Sequence, residues 1–557
     1  MRTQVTNQPK DSDTLRNRFG EWKTSTIPQT RPRSRIPAGN RLSSSCSGFI
    51  IAGLAFLTLC AGCGNPVVRG TVTPTGNPQV ALYTINPQAP ATVRVVFGTT
   101  TAYGLRTSSR ATPVSGVPVG IYVAGMLANT TYHMQAVVQY NDGTTVKDTD
   151  HTFQTGSYPA GTVPSVTATT TPGQTPQPGI EIVNTTQSPA GMFAVDLSGN
   201  VIWAYEDKQP VGPDWLAPKL LPNGDFVALR SPASSSALKT PFNPSEPNVV
   251  REFNLAGDTV KQITMAQLNA ELAARGYSLN LLYFSHDVTP LPNGHWIVIA
   301  NMFKNVVLNG QTTPTQVLGD VIIDLDQDLQ PVWVWNEFDH LDVNRHPWNF
   351  PDWTHTNAVI YSPDDGDLIV SIRHQNWIVK VNYSNGAGNG AIVWRLGEGG
   401  DFKLIGGVDP TDWSYAQHGI NLTTPYSAGI FSLAVMDNGD DRMYPGDTTA
   451  ETCGVNGAPA CYSTVPIYQI DESAKTATLE FHQIAPAALY NAWGGDALTL
   501  PNGDVEYDLC GLVGNPGSQI FEVTDQPDPQ TVWNLTINNR HAYRSYRLPS
   551  LYPGVQW

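Results

Sequence analysis

The chain has 557 residues, 40% hydrophobic and 14% charged, with 47 Asp/Glu against 32 Lys/Arg and a formal charge of −15. An acidic chain with no basic stripe excludes nucleic acid as a partner. It also repels anions globally, so an anionic substrate needs a local cationic site.

Residues 1–62 read as a signal or targeting region. Arg31, Arg33, Arg35 and Arg41 lead into an apolar run from Phe49 to Leu59, which has the length of a signal-peptide core and is too short for a stable span. Ala61-Gly62-Cys63 follows. This small-small-Cys pattern resembles the bacterial lipobox, so Cys63 is the expected lipidation site and first mature residue; the alternative is ordinary cleavage without lipid. The region holds nine Lys/Arg and three Asp/Glu, and its removal takes the formal charge to −21. The expected location is the periplasm or cell envelope, with the membrane reached only through the N-terminal lipid.

Residues 66–156 read as a small β-sandwich of fibronectin-III type. Alternation runs through Thr92-Val93-Arg94-Val95-Val96-Phe97 and His133-Met134-Gln135-Ala136-Val137-Val138, and Leu127-Ala128-Asn129-Thr130-Thr131-Tyr132 resembles a tyrosine corner. Residues 157–178, rich in Pro, Thr and Gly, read as a linker.

Residues 179–557 carry a repeat. Gly224, Gly294, Gly366, Gly439 and Gly503 stand in Asn-Gly or Asp-Gly-type turns spaced 64 to 73 residues apart. Such turns supply the positive φ of tight hairpins. A second marker, Trp203, Trp333, Trp394 and Trp533, recurs at one or two of the same periods. A long all-strand period of this kind predicts a six-bladed β-propeller, with the first and last segments sharing one blade. A β-sandwich with coincidental turn spacing is the alternative.

Three histidines stand at matching points of consecutive units: His286, His355 and His418. In a ring of units, equivalent strands face one axis, so the imidazoles would meet there. Arg373 lies on the strand paired with the one entered through His355, and Asn357 is placed on the same strand face as His355. Three imidazoles can bind a metal. An adjacent guanidinium favours an oxyanion instead, and a neutral imidazole can then act as a nucleophile. Spacing alone does not choose sulfur over phosphorus. Trp353 and Trp413 lie close in sequence to the histidines and read as core in preference to substrate wall. Cys453 and Cys461, eight apart in a Gly/Pro-rich loop, are expected to pair in an oxidising compartment; Cys510 is left for core packing.

The motifs Asp352-Trp353-Thr354-His355-Thr356-Asn357, Ser371-Ile372-Arg373-His374-Gln375, Ile392-Val393-Trp394-Arg395-Leu396-Gly397, Gln417-His418 and the ending Tyr543-Arg544-Ser545-Tyr546-Arg547-Leu548-Pro549 resemble the bacterial arylsulfotransferases, the arylsulfate sulfotransferase family. The resemblance implies a six-bladed propeller with its site at the central channel, behind a small β-rich domain. It implies ping-pong transfer of a sulfuryl group from a phenolic sulfate to a phenol, with no cofactor, metal or nucleotide sulfate donor. His418 then matches the nucleophile that becomes sulfohistidine. His286, His355 and Arg373 match the groups that hold the sulfuryl oxygens, and Asn357 a supporting substrate-binding residue. The Cys453–Cys461 loop resembles a family disulfide, and the family includes homodimers. The competing readings are an envelope-anchored binding or scaffold propeller and a metal-dependent hydrolase on the same histidines.

Overall fold

The computed structural model describes residues 69–557, apart from 113–116, 187–190, 206, 208–213, 233–246, 449–452 and 455–457. The expected signal region and Cys63 lie outside the described residues. Among the described residues no helix is long and apolar enough to cross a membrane. The described chain is all-β, built from antiparallel sheets with a single α-helix, Met265–Ala274.

The N-terminal part holds two sheets. One joins Gly70–Pro74, Ala81–Ile85 and Val119–Val123; the other is centred on Ala91–Gly98 and Thr131–Tyr140. Strict alternation in Ala91–Gly98 turns Val93, Val95 and Phe97 inward, where they pack with Tyr83 and Ile85 of the first sheet. The Tyr132 hydroxyl accepts the Leu127 backbone N–H at 3.0 Å, the tie expected of the corner.

Six further sheets follow, each of at least four antiparallel strands. The first adds the chain's last strand, His541–Leu548, to Ile180–Thr186, Gly191–Asp196 and Val201–Ala204. The next five begin with Asp214–Leu220, Tyr283–Pro290, Thr356–Tyr361, His418–Leu422 and Ala497–Thr499. These opening strands touch one another in sequence, and His541–Leu548 touches both Asp214–Leu220 and Val505–Leu509 of the sixth sheet.

The turn glycines do the local work expected of them in four sheets. Gly224, Gly294, Gly366 and Gly503 turn the first hairpin with φ of +90°, +84°, +76° and +93°. The fifth sheet departs from the reading. Its first hairpin turns through Ala428-Gly429, and Asp437-Asn438-Gly439 comes after the second strand, Ile430–Met436. Ala428-Gly429 lacks the Asx-Gly signature that Asp437-Asn438-Gly439 carries, and the displaced Asx-Gly turn serves the site described below.

The tryptophan marker falls on the fourth strand of four sheets, and each indole N–H reaches into the next sheet. Trp203 donates to Leu255 O, Trp333 to Gly388 O, Trp394 to Glu472 Oε1 and Trp533 to Leu197 O, at 2.8 to 3.1 Å. The last of these ties the sixth sheet to the first. A second tie lies inside the same seam, where the Arg547 guanidinium meets Glu181 of the first sheet and Glu506 and Glu522 of the sixth at 2.8 to 3.0 Å, all buried.

The stretch expected to be a linker contributes a strand, Val166–Thr170, paired with Thr531–Ile537. Its β-branched residues favour extension. It lies at a sheet edge with little burial, so no apolar alternation announced it.

Candidate functional site

The opening strands share one irregularity. In the second to fifth sheets the pairing register slips beside the same end, at Leu216/Lys219, Phe284/Val288, Thr356/Ala358 and His418/Ile420. Such bulges re-aim a side chain. His286 and His355 take left-handed backbone there, with φ of +55° and +52°, as does Ala217 in the second sheet. A non-glycine residue in that region costs about 1–3 kcal/mol unless its surroundings enforce it. Around His355 they do. Thr354 Oγ1 and the Thr356 N–H both donate to Asp320 Oδ2 at 2.8 Å, and Thr356 Oγ1 donates to Glu337 Oε1. Burial pushes the Asp320 carboxyl up to about 7, with the charge of Asp352 adding to the rise, and burial and then Asp320 push Glu337 well above its usual range.

The bulges bring the three predicted histidines together. Ring centres are 4.6 Å apart for His286 and His355, 6.5 Å for His286 and His418, and 6.4 Å for His355 and His418. Tyr543, from the last strand, lies 6.0 and 6.2 Å from His286 and His418.

The rings differ in what holds them. His418 Nδ1 lies 2.6 Å from Asn438 Oδ1. Asn438 Nδ2 donates to the carbonyls of Asn491 and Gly494, so its oxygen faces the ring and His418 Nδ1 carries the proton. Among the described residues no hydrogen bond engages Nε2. Burial, and next the charge of Arg373, push the His418 pKa well below the usual imidazole value. His286, bonded through Nδ1 to Ser285 Oγ at 2.5 Å, is pushed down by burial and then by His355. His355 has a carboxylate instead: its Nδ1 meets Asp352 Oδ2 at 2.6 Å. Burial raises Asp352, but His355 and His374 outweigh it and hold the carboxyl well below its usual range.

Arg373 sits in a short turn just after Leu368–Ile372, and its backbone N–H donates to His355 O, so the expected cross-strand neighbourhood is present. Its guanidinium donates to Asp440 Oδ2 at 2.7 Å and to His374 Nε2 at 2.5 Å. Asp440 also accepts the Tyr490 hydroxyl. Burial, against the pull of Arg373, pushes Asp440 up to about 7.

Asn357 does not share a regular strand face with His355, because the bulge breaks the period of two. Its amide is buried and donates to Gln417 O at 2.7 Å, linking the His355 strand to the His418 strand. Its backbone oxygen accepts from Arg544, which also pairs with Asp287 at 3.5 Å. Buried polar atoms around the cluster without a hydrogen-bond partner among the described residues include Arg373 Nε, Asn357 Oδ1, Gln417 Oε1 and Trp348 Nε1. Ordered water or a bound polar ligand satisfies groups of this kind.

Asp352, His355 and His374 present ligand atoms within 4.8 Å of one another, the spacing of a metal site. The donors do not fit one. His374 Nδ1 donates its proton to Asp352 O, and His374 Nε2 accepts from Arg373, so both nitrogens are engaged and a fixed cation stands beside them.

Trp353 and Trp413 are fully packed core residues. Sequence reading missed Asn438, Asp440, Asp352, His374 and Trp348 as members of the site. Trp348 stacks on His374 at 4.5 Å and lies under the Arg373 guanidinium at 4.6 Å. The Cys453–Cys461 disulfide is formed, and Cys510 is buried.

A family model described as "Arylsulfotransferase (ASST)" matches residues 145–544. No curated protein matches the chain. Among solved structures, the chain is similar to a Bacteroides fragilis protein assigned as a 6-phosphogluconolactonase, with 10% identity, a TM-score of 0.33, and coverage of 82% of this chain and 98% of the other. It is also similar to the dihydro-heme d1 dehydrogenase NirN, with 11% identity, a TM-score of 0.29, and coverage of 68% and 80%. Overlaps this loose bear on neither fold nor chemistry.

Proposed function

Since the chain belongs to the arylsulfotransferase (ASST) family, we propose that it moves a sulfuryl group from a phenolic sulfate to a phenol by a ping-pong route through sulfohistidine at His418. The observation that carries this reading is a buried imidazole, His418, with its Nδ1 proton fixed on Asn438 and no hydrogen bond at Nε2 among the described residues, beside two more imidazoles and a guanidinium.

His418 Nε2 attacks sulfur as the sulfur–oxygen bond to the donor breaks. A phenolate leaves with the bonding pair, and its conjugate-acid pKa of about 10 makes that tolerable. The ring keeps its Nδ1 proton and carries the sulfuryl group on Nε2. The released phenolate takes a proton from water; an acceptor phenol then gives its proton to water and attacks the same sulfur, the N–S bond breaks with its electron pair returning to Nε2, and His418 is again neutral. Transfer of this kind rests on positioning and on stabilising the equatorial oxygens. Arg373, His286 and His355 take that role. Asp352 orients the His355 ring through Nδ1 at 2.6 Å, and Asn357 supports the strand pair that spaces the rings.

The six sheets are then the blades of a six-bladed propeller, the N-terminal pair of sheets a fibronectin-III-like sandwich, and the histidines line the central channel. The Trp533 and Arg547 ties between the sixth and first sheets support closure. The envelope location, the lipid at Cys63 and association with a second copy complete the proposal. The alternative of a binding or scaffold propeller is favoured if no aryl sulfate is turned over and another ligand is retained.

The test is exchange: p-nitrophenyl sulfate plus phenol should release p-nitrophenol, and with acceptor withheld His418 should carry the sulfuryl mass. A wild-type chain that turns over no aryl sulfate ends this reading.

Two expectations follow from the geometry. Asn438→Ala frees the His418 ring to take the other tautomer, and kcat should fall by about 10²–10⁴-fold, while KM for the donor changes little. An unchanged kcat would remove Asn438 from the mechanism. The second concerns pH. A nucleophilic imidazole is inactive when protonated, and His418 is pushed well below the usual value. The acid limb of kcat/KM should therefore lie below the pH of about 6.5 at which a free imidazole titrates. In Arg373→Gln the residual activity should lose that protection and its acid limb should move upward. A wild-type limb at or above 6.5 contradicts the assignment.

A further inference from the structure

A separate cavity of about 310 Å³ opens on the outer side of the loop that carries Arg373 and His374. That is at the lower end of the range of about 300–1,000 Å³ for small-molecule sites. Its lining includes Arg345, Gln375, Trp377 and Arg395 together with Asp342 and Asp401. None of these belongs to the histidine cluster.

Two guanidinium groups lie against the same indole. The Arg345 carbon is 3.5 Å and the Arg395 carbon 5.6 Å from the centre of the Trp377 ring. Arg345 is held by neutral groups, donating to the backbone and side-chain oxygens of Gln375, both at 2.8 Å. Among the described residues no carboxylate pairs with it. Burial pushes its pKa down to about 10; Glu398 acts the other way, and the repulsion of Arg395 adds to the fall.

The two lining carboxylates are already committed. Asp342 accepts from the Asn344 backbone and side chain. Asp401 accepts the Arg395 backbone N–H at 2.7 Å, and its ion pair with the Arg395 side chain is long, 3.6 Å, and open to solvent, so the pair is weak. One half-buried cation with no carboxylate partner among the described residues and a second, loosely held cation thus face one cavity. An anion placed between them relieves their repulsion and accepts the forked hydrogen bonds that guanidinium groups offer.

We propose that this cavity is a second oxyanion site, which binds a sulfate group through Arg345 and Arg395 against the Trp377 ring. The chemistry is shared by free inorganic sulfate and by the sulfate of an ester. The site does not depend on the transfer reaction: it stands whether or not the chain exchanges sulfuryl groups. Its position is informative all the same, since Gln375, which Arg345 grips, directly follows His374, and its amide donates to Trp353 O at 2.8 Å.

The experiment is equilibrium dialysis on the full chain in a His418→Ala background, which holds no sulfuryl adduct, with radiolabelled inorganic sulfate in one arm and p-nitrophenyl sulfate in the other. Arg395→Gln, a change at a half-buried position, and Arg345→Gln are compared with the parent, and thermal melting confirms that each remains folded. In at least one arm, the number of bound equivalents should fall by one in both variants, or one class of sites should weaken at least tenfold. Loss in both arms identifies free sulfate as sufficient; loss only with the ester assigns the site to ester substrates or products. Binding unchanged by Arg395→Gln in both arms overturns the proposal, whatever Arg345→Gln does.

Discussion

His418→Ala should lose sulfuryl exchange between p-nitrophenyl sulfate and phenol by at least about 10⁴-fold, the scale seen when a covalent nucleophile is removed. The loss should fall on kcat, because Arg373, His286 and His355 remain to bind the donor. The burst of p-nitrophenol and the sulfuryl adduct should both vanish. Rescue by added imidazole would strengthen the assignment, since a small base in the vacated space can attack the same sulfur. Turnover close to wild type would transfer the nucleophile to another group. His286 would be the first to examine, because its ring is also buried and pushed well below its usual pKa.

Arg547→Met should be the most damaging substitution outside the site. Arg547 is the cation among Glu181, Glu506 and Glu522, all with buried side chains. Removing one partner from a buried ion cluster costs about 3–5 kcal/mol, because the remaining charges stay buried without compensation. Here they span the seam between the chain's last strand and the sixth sheet. Chemical denaturation should show the loss, and limited proteolysis should find the C-terminal strand cut first. A change under about 0.5 kcal/mol, typical of a surface position, would mean that the seam does not hold the sheets together. Adding Glu522→Gln to Arg547→Met should recover part of the loss, because one fewer negative charge is left stranded.

Much of this was legible in the residues because the repeat leaves two independent marks. The Asn-Gly and Asp-Gly turns need positive φ, so Gly224, Gly294, Gly366 and Gly503 announce hairpins, and the tryptophans mark fourth strands because each indole must find a carbonyl or carboxylate in the neighbouring sheet. The convergence of His286, His355 and His418 follows from the same period. What the residues hid is set by local geometry. Asp437-Asn438-Gly439 carries the signature of a hairpin turn, yet its asparagine orients His418, and only the length of the true hairpin before it decides the matter. Asp352 and His374 stand in the quoted motifs without a visible role, since their partners are set by a turn after a bulge. Asn357 was placed by the period of two, which the bulge at Thr356/Ala358 cancels. The strand Val166–Thr170 escaped because an edge strand buries too little to impose a pattern.

The left-handed backbone at His286 carries a consequence for any effort to engineer this chain. At most positions glycine is less stable than alanine by about 0.5–1 kcal/mol, because it has more freedom to lose. At a residue fixed at φ +55° that order should reverse: a methyl group is crowded there and a hydrogen is not, a difference of about 1–2 kcal/mol. His286→Gly should accordingly outlast His286→Ala on heating, though both are poor catalysts. Screens that reward thermal robustness alone would drift toward erasing this imidazole, so selection has to be run on turnover.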